Sequence, residues 1–155
     1  MTSTDLRSRE QTGGLPASID DIIENFEILD EVDDRYRYLI ELGRMLPPLP
    51  EEARSEANRV RGCVSQVWLA THTKQGPDGK SLIHFEGDSD ALITKGIVAI
   101  LLVFFSGLPT EEILSRDALA LFSRLNLSEH LTPQRSNGAR AMVERMKADA
   151  RASLG

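Results

Sequence analysis

The segment covering residues 91–105 constrains the fold more than any other part of the chain. It is apolar on nearly every side, and a helix of that kind is normally buried. Its longest wholly apolar run, residues 97–105, has nine residues, whereas a membrane crossing needs roughly 17 to 25. The sequence therefore predicts a buried central helix and no transmembrane segment. The acidic and serine residues at 88–90 predict its N-terminus.

A β-hairpin is predicted immediately before this helix. Residues 64–73 are rich in Val, Trp, Thr and Leu, and residues 81–86 again have strand character. The turn between them, at 75–79, ends in Asp-Gly, which is typical of a tight antiparallel connection. Trp68 is expected to belong to the hydrophobic core.

Apolar residues at helical spacing predict five further helices. Two precede the hairpin, with starts near Ser18 and Asp33. Three follow the central helix: one begins at Thr110, one covers residues 117–125, and the last covers residues 134–152. Helices therefore surround one hairpin.

Length and composition indicate one folded domain. The chain has 155 residues, of which 41% are hydrophobic and 27% charged, so it can bury a core. Residues 1–17 are polar and contain Gly13, Gly14 and Pro16, which predicts a flexible N-terminal extension. Residues 18–155 are then the single domain.

Charge and the N-terminal sequence restrict the partners. The net charge is −6, which argues against nucleic-acid binding through phosphate neutralisation and against a polybasic membrane contact. The N-terminus lacks the apolar stretch of a secretory signal. We therefore expect a cytoplasmic protein that binds neither nucleic acid nor membrane.

Cysteine usage limits the sulfur chemistry. Cys63 is the single cysteine and the chain has three histidines, so neither an internal disulfide nor a convincing zinc site is expected. Iron–sulfur clusters are usually held by several thiolates, which excludes a self-contained cluster scaffold. Any sulfur chemistry must use one nucleophile and a partner.

The neighbours of Cys63 leave two interpretations open. Gly62 directly before it permits an unusual backbone conformation. Arg59 and Arg61 are close in sequence, and positive charge is expected to lower the pKa of the thiol and make it reactive. A lone cysteine can equally be a small buried apolar residue. The residues alone do not decide between the two.

Four segments in order resemble one known family. Residues 62–69, Gly-Cys-Val-Ser-Gln-Val-Trp-Leu, resemble the active-site signature of the SufE family, the sulfur acceptors that serve cysteine desulfurases. Residues 38–43, 87–91 and 130–138 resemble its second helix, the turn after its hairpin and the loop that opens its last helix. The resemblance covers about residues 19–148.

The resemblance implies a fold and an activity. The fold would be α+β, a small antiparallel sheet packed against several helices, as in the scaffolds NifU and IscU. Cys63 would receive sulfur as a persulfide from a cysteine desulfurase of the SufS or CsdA kind, stimulate that enzyme, and deliver sulfur to an iron–sulfur cluster scaffold. Pyridoxal phosphate would belong to the desulfurase, so no cofactor or metal is expected in this chain. The SufE and CsdE branches both remain open.

Five residues are candidates for a supporting or partner-contact role: Gly62, Ser65, Gln66, Asp90 and Arg135. The resemblance implies that Asp90 lies near the cysteine loop and controls its opening, and that Arg135 binds the charge of the incoming persulfide or an acidic group of the desulfurase.

Two alternatives to a sulfur carrier are kept. The first is an independent thiol enzyme that uses Cys63 with His72, His84 or His130. The second is an interaction module in which Cys63 is buried and inert.

Overall fold

The computed structural model of the chain describes residues 15–16, 18–127 and 131–153. Six α-helices and one hairpin make up the described part, and the predicted extension at 1–17 lies almost entirely outside it. The elements in order are α1 (Ile19–Ile28), α2 (Val32–Arg44), a 3-10 turn (Glu51–Ala53), β1 (Val67–Gln75), β2 (Ser81–Ser89), α3 (Leu92–Phe105), α4 (Thr110–Ser115), α5 (Ala118–Arg124) and α6 (Pro133–Ala152). The α+β prediction is confirmed.

Helix α3 is the centre of the core, as its composition predicts. Nine of its residues are buried, among them Ile97, Ile100 and Phe105. The hairpin covers one side of it and α2 another. No helix among the described residues is both long and apolar enough to cross a membrane.

Helices α2 and α3 cross without intervening side chains. Gly43 and Gly96 form the crossing: a Cβ atom on Gly43 would lie 2.9 Å from the Gly96 nitrogen, and one on Gly96 would collide with the Leu39 backbone carbonyl oxygen. Both approaches are closer than van der Waals contact. The crossing therefore requires glycine at these positions.

The hairpin is antiparallel, with Val67 opposite Ser89 and Gln75 opposite Ser81. Its turn has Gly79 in the left-handed region, at φ +84°, as the Asp-Gly pair predicts. Strand β1 begins at Val67, so residues 64–66 belong to the preceding loop and their predicted strand assignment is wrong.

The predicted helix start at 88–90 is also wrong. Asp88 and Ser89 extend β2, and α3 begins only at Leu92. The buried Asp88 carboxylate lies 2.6 Å from an Arg54 nitrogen and 3.4 Å from Lys95 Nζ. Strand pairing and these two cations override a local helix-start signal.

Trp68 is half-buried, so its expected place in the core is wrong. The guanidinium carbon of Arg54 lies 5.2 Å from the centre of its ring, which is a cation–π distance. The polar edge that tryptophan keeps near the surface explains this position.

Candidate functional site

Cys63 lies in the loop that leads into β1. It is half-buried, and its Sγ donates to the carbonyl oxygen of Gly138 in α6, at 3.5 Å. A Cβ atom on Gly138 would lie 3.4 Å from that sulfur. The thiol therefore packs against helix α6 at Gly138, where no side chain separates the sulfur from the helix backbone.

Gly62 has a conformation that favours glycine. Its φ is +93°, and a Cβ atom there would lie 3.2 Å from the Cβ of Ala141. The backbone thus turns sharply while passing close to α6. This geometry places the next residue, Cys63, against that helix.

A cavity of about 430 Å³ opens beside the thiol. The first turns of α3 and α6 form two of its walls, and the cysteine loop forms a third. Its lining residues are Cys63, Val64, Ser65, Ala91, Leu92, Ile93, Thr94, Thr132, Gln134, Arg135, Gly138 and Met142. The N-terminal turn of a helix carries partial positive charge, so both of these helices contribute their positive ends to the lining of the cavity.

The two arginines near Cys63 do not act on it. Arg59 and Arg61 both pair with Glu56, at 3.6 and 3.4 Å. Burial instead raises the pKa of the Cys63 thiol. The expectation of a pKa lowered by these arginines is wrong, because a nearer carboxylate holds their guanidinium groups. The half-buried sulfur is therefore in its protonated thiol form at neutral pH.

Gln66 and Asp90 fasten the end of the cysteine loop. The Gln66 N–H donates to Asp90 Oδ1 at 3.1 Å, and the Asp90 N–H donates to the Gln66 carbonyl oxygen at 3.2 Å. Asp90 is exposed, whereas Ser65 is half-buried and lines the cavity. The geometry brings Gly62, Ser65, Gln66 and Asp90 around one short loop.

Arg135 lines the same cavity from the first turn of α6. Its Nη1 donates to the Tyr36 hydroxyl at 3.5 Å, and its backbone N–H donates to the N-cap side chain of Thr132. Arg135 thus lines the thiol cavity although it lies 72 positions along the chain from Cys63.

Gly138 is a site residue that the sequence analysis left without a role. Two signals were present: it lies inside the loop that resembles the family, and it is a glycine in a helix interior, which often marks a close approach. Neither signal says what approaches it. Only the folded chain shows that the neighbour is Cys63.

The histidines are elsewhere. His72 Nε2 lies 2.8 Å from Glu86 Oε1, and His84 lines a second cavity, of about 320 Å³. Burial, followed by the charges of Lys74 and His72, lowers the pKa of His84. Neither histidine lines the Cys63 cavity, and His130 lies outside the described residues. Among the residues with a described position, no three His, Cys, Asp or Glu side chains form a group that could hold a metal ion.

Fold and site together define a small α+β protein whose single thiol is half-buried beside a cavity between two helix N-termini. The chain belongs to the SufE family: the model of the Fe-S metabolism associated domain matches residues 20–150. It is 53% identical over 135 residues to an uncharacterised SufE-like protein of Rhizobium etli, covering 87% of this chain and 90% of the relative. It is 51% identical over 137 residues to an uncharacterised SufE-like protein of Rhizobium meliloti, covering 88% and 97%. These relationships support a role in iron–sulfur metabolism.

Proposed function

We propose that the protein is a sulfur acceptor that carries a persulfide on Cys63. The observation that supports this most strongly is the cavity beside the thiol. It has about 430 Å³ of space, and an S–S bond adds only about 2 Å to the length of the side chain. A terminal sulfur can therefore be enclosed without rearranging the core.

The transfer step balances without an added oxidant or reductant. The Cys63 thiolate attacks the outer sulfur of a persulfide on the donor enzyme, so that one S–S bond forms and the donor S–S bond breaks. The donor cysteine leaves as a thiolate, and the sulfane sulfur keeps its oxidation state. Cys63 then holds the new persulfide.

Burial of Cys63 disfavours an anion, and the proposed counterweight is positive charge along the wall of the cavity. The first turns of α3 and α6 face the same cavity, and Arg135 lies at its wall. Helix N-termini stabilise anions, and the guanidinium is always charged. We assign Arg135 to binding the charge of the arriving persulfide or an acidic group of its donor.

The proposed donor is a cysteine desulfurase of the SufS or CsdA kind, and the proposed recipient is an iron–sulfur scaffold. Pyridoxal phosphate belongs to the desulfurase. Since the Cys63 thiol is half-buried with a raised pKa, the desulfurase must open the loop before transfer. We propose that docking of the desulfurase breaks the two hydrogen bonds between Gln66 and Asp90, which hold the end of the cysteine loop. Partner-induced exposure predicts faster alkylation of Cys63 when the desulfurase is present.

Intact-mass measurement tests the proposal. The protein and its Cys63→Ser variant are each incubated with a desulfurase, pyridoxal phosphate and L-cysteine. The wild type should gain the mass of one sulfur atom, a dithiol should reverse the gain, and the variant should gain nothing. If a competent matched desulfurase adds no sulfur to the wild type, the carrier proposal is wrong.

A further inference from the structure

The chain segment that leads to Cys63 pairs with β1 through an isolated antiparallel bridge, with Arg59 opposite Trp68. The Val60 N–H donates to the Val67 carbonyl and the Leu69 N–H donates to the Asn58 carbonyl, both at 2.8 Å. Residues 57–60, here called the arm, therefore lie alongside β1. This pairing occupies one edge of the arm and leaves the carbonyls of the alternate residues directed to the other side.

Arg145 of α6 binds the free edge of the arm. Its Nη2 donates to the Ala57 carbonyl at 2.6 Å and its Nη1 to the Arg59 carbonyl at 3.2 Å. These are the two outward carbonyls of the arm. The Arg145 guanidinium thus donates hydrogen bonds to both of these backbone carbonyls, as the N–H groups of a neighbouring strand would.

Asp149 holds this guanidinium in position. Arg145 Nε lies 3.1 Å from Asp149 Oδ1 and 3.3 Å from Oδ2. The Thr71 hydroxyl donates to the same carboxylate at 2.7 Å, which connects α6 to β1. Both charged side chains are about three-quarters buried, at 27% and 24% exposed. The planar fork of arginine suits such a fixed arrangement.

Helix α6 therefore touches the cysteine segment at two places. Gly138 accepts from the thiol, and Arg145, about two helical turns later, fixes the arm. We infer that Arg145 is a positioning residue for Cys63, which holds the arm so that the thiol stays seated on Gly138. This inference rests on the proposed carrier function, because it describes how the carrier keeps its thiol sheltered before a partner docks.

The test compares Arg145→Gln with Arg140→Gln. Arg140 is an exposed arginine of the same helix, so its variant controls for the loss of one charge. Alkylation of Cys63 by iodoacetamide should be about tenfold faster in Arg145→Gln, equivalent to about 1.4 kcal/mol, and unchanged in the control. The pH at which alkylation is half-maximal should also fall, because a loosened arm exposes the thiol to water.

Amide hydrogen exchange separates positioning from general destabilisation. The Val60 amide reports on the arm, and the Phe85 amide, which donates to Ser106 Oγ at 2.9 Å, reports on the core. Positioning by Arg145 predicts faster exchange at Val60 with unchanged exchange at Phe85. An unchanged alkylation rate, or equal acceleration at both amides, overturns the inference.

A second variant covers a failure of Arg145→Gln to fold. Arg145→Lys keeps the charge beside Asp149 but loses the fork that reaches two carbonyls, and should raise alkylation about threefold. An unchanged rate in that variant also overturns the inference. None of these assays contains a desulfurase, so their outcome is independent of whether Cys63 accepts sulfur.

Discussion

Substitutions at Gly138 should separate the stability of α6 from the shelter of the thiol. Gly138 lies inside a helix and is buried, so replacing it by alanine gains about 0.8–1.0 kcal/mol of helix propensity. The new Cβ atom would lie 3.4 Å from Cys63 Sγ and 3.8 Å from its Cβ, which are ordinary contacts. We therefore expect Gly138→Ala to stabilise the protein by about 1 kcal/mol, or roughly 2–4 °C in Tm for a chain of this size.

Valine at the same position should behave differently. Its two methyl groups extend beyond the Cβ position, which itself lies 3.4 Å from the Cys63 sulfur. Overpacking of this kind costs about 1–3 kcal/mol, unless the strain is relieved by movement of the cysteine loop. We expect that movement, because the polar contact that holds Cys63 here is a long 3.5 Å thiol–carbonyl interaction.

The assay is alkylation of Cys63 followed by intact mass, together with thermal unfolding. Gly138→Ala should raise Tm and leave the alkylation rate within about twofold of the wild type. Gly138→Val should increase the alkylation rate about tenfold, which corresponds to a loss of about 1.4 kcal/mol in the free energy that keeps the cysteine loop in place. Equal rates in the wild type and the valine variant would refute the argument that Cys63 is seated on Gly138.

Three further predictions concern the core and the titrating groups. Gly96→Ala should lower the free energy of unfolding in urea by about 1–3 kcal/mol or more, although alanine is the better helix former, because its Cβ atom would collide with the Leu39 backbone carbonyl oxygen and lie 2.8 Å from the Leu39 side chain. An unchanged free energy of unfolding would mean that α2 and α3 do not approach each other this closely. Burial raises the pKa of Cys63 above its ordinary 9.0, so the thiol of the unfolded chain ionises at lower pH than that of the folded protein. The wild type should therefore lose stability relative to Cys63→Ser as the pH rises through and beyond 9.0. Parallel profiles of stability against pH for the two proteins would contradict this. The pKa of His84 is lowered below 6.5, chiefly by burial, so the histidine of the unfolded chain protonates at higher pH than that of the folded protein. The stability of His84→Gln should therefore depend less on pH below 6.5 than the stability of the wild type. An equal pH dependence in the two proteins would contradict this prediction.

Most elements of the fold are predictable because their signals are local. Ser18 caps α1 through the Asp21 N–H, at 3.3 Å, and Asp117 caps α5 through the Ala120 N–H, at 3.1 Å. The wrong assignment at Asp88 has a different origin. An acidic residue before an apolar run is a good helix start on its own, and only the positions of Arg54 and Lys95 make it a buried strand residue.

Part of the candidate site is also local. Gly62, Cys63, Ser65 and Gln66 lie within five positions, so one motif identifies them together. Gly138 is 75 positions from Cys63, and nothing in the neighbouring residues of either one reveals that they touch. The contacts of Arg145 with the arm are equally hidden, because they join residues 86 and 88 positions apart.

Local sequence signals predict the type and order of the elements, the buried central helix and the position of the single cysteine, because periodicity, caps and residue chemistry are properties of neighbouring residues. The surroundings of the Cys63 thiol, in contrast, come from the folded chain. Arg59 and Arg61 suggest an activated thiolate when read along the chain, whereas folding pairs both with Glu56 and places Cys63 against α6. Burial then raises the pKa of the thiol, because desolvation depends on what surrounds a group in space and not on which residues precede it.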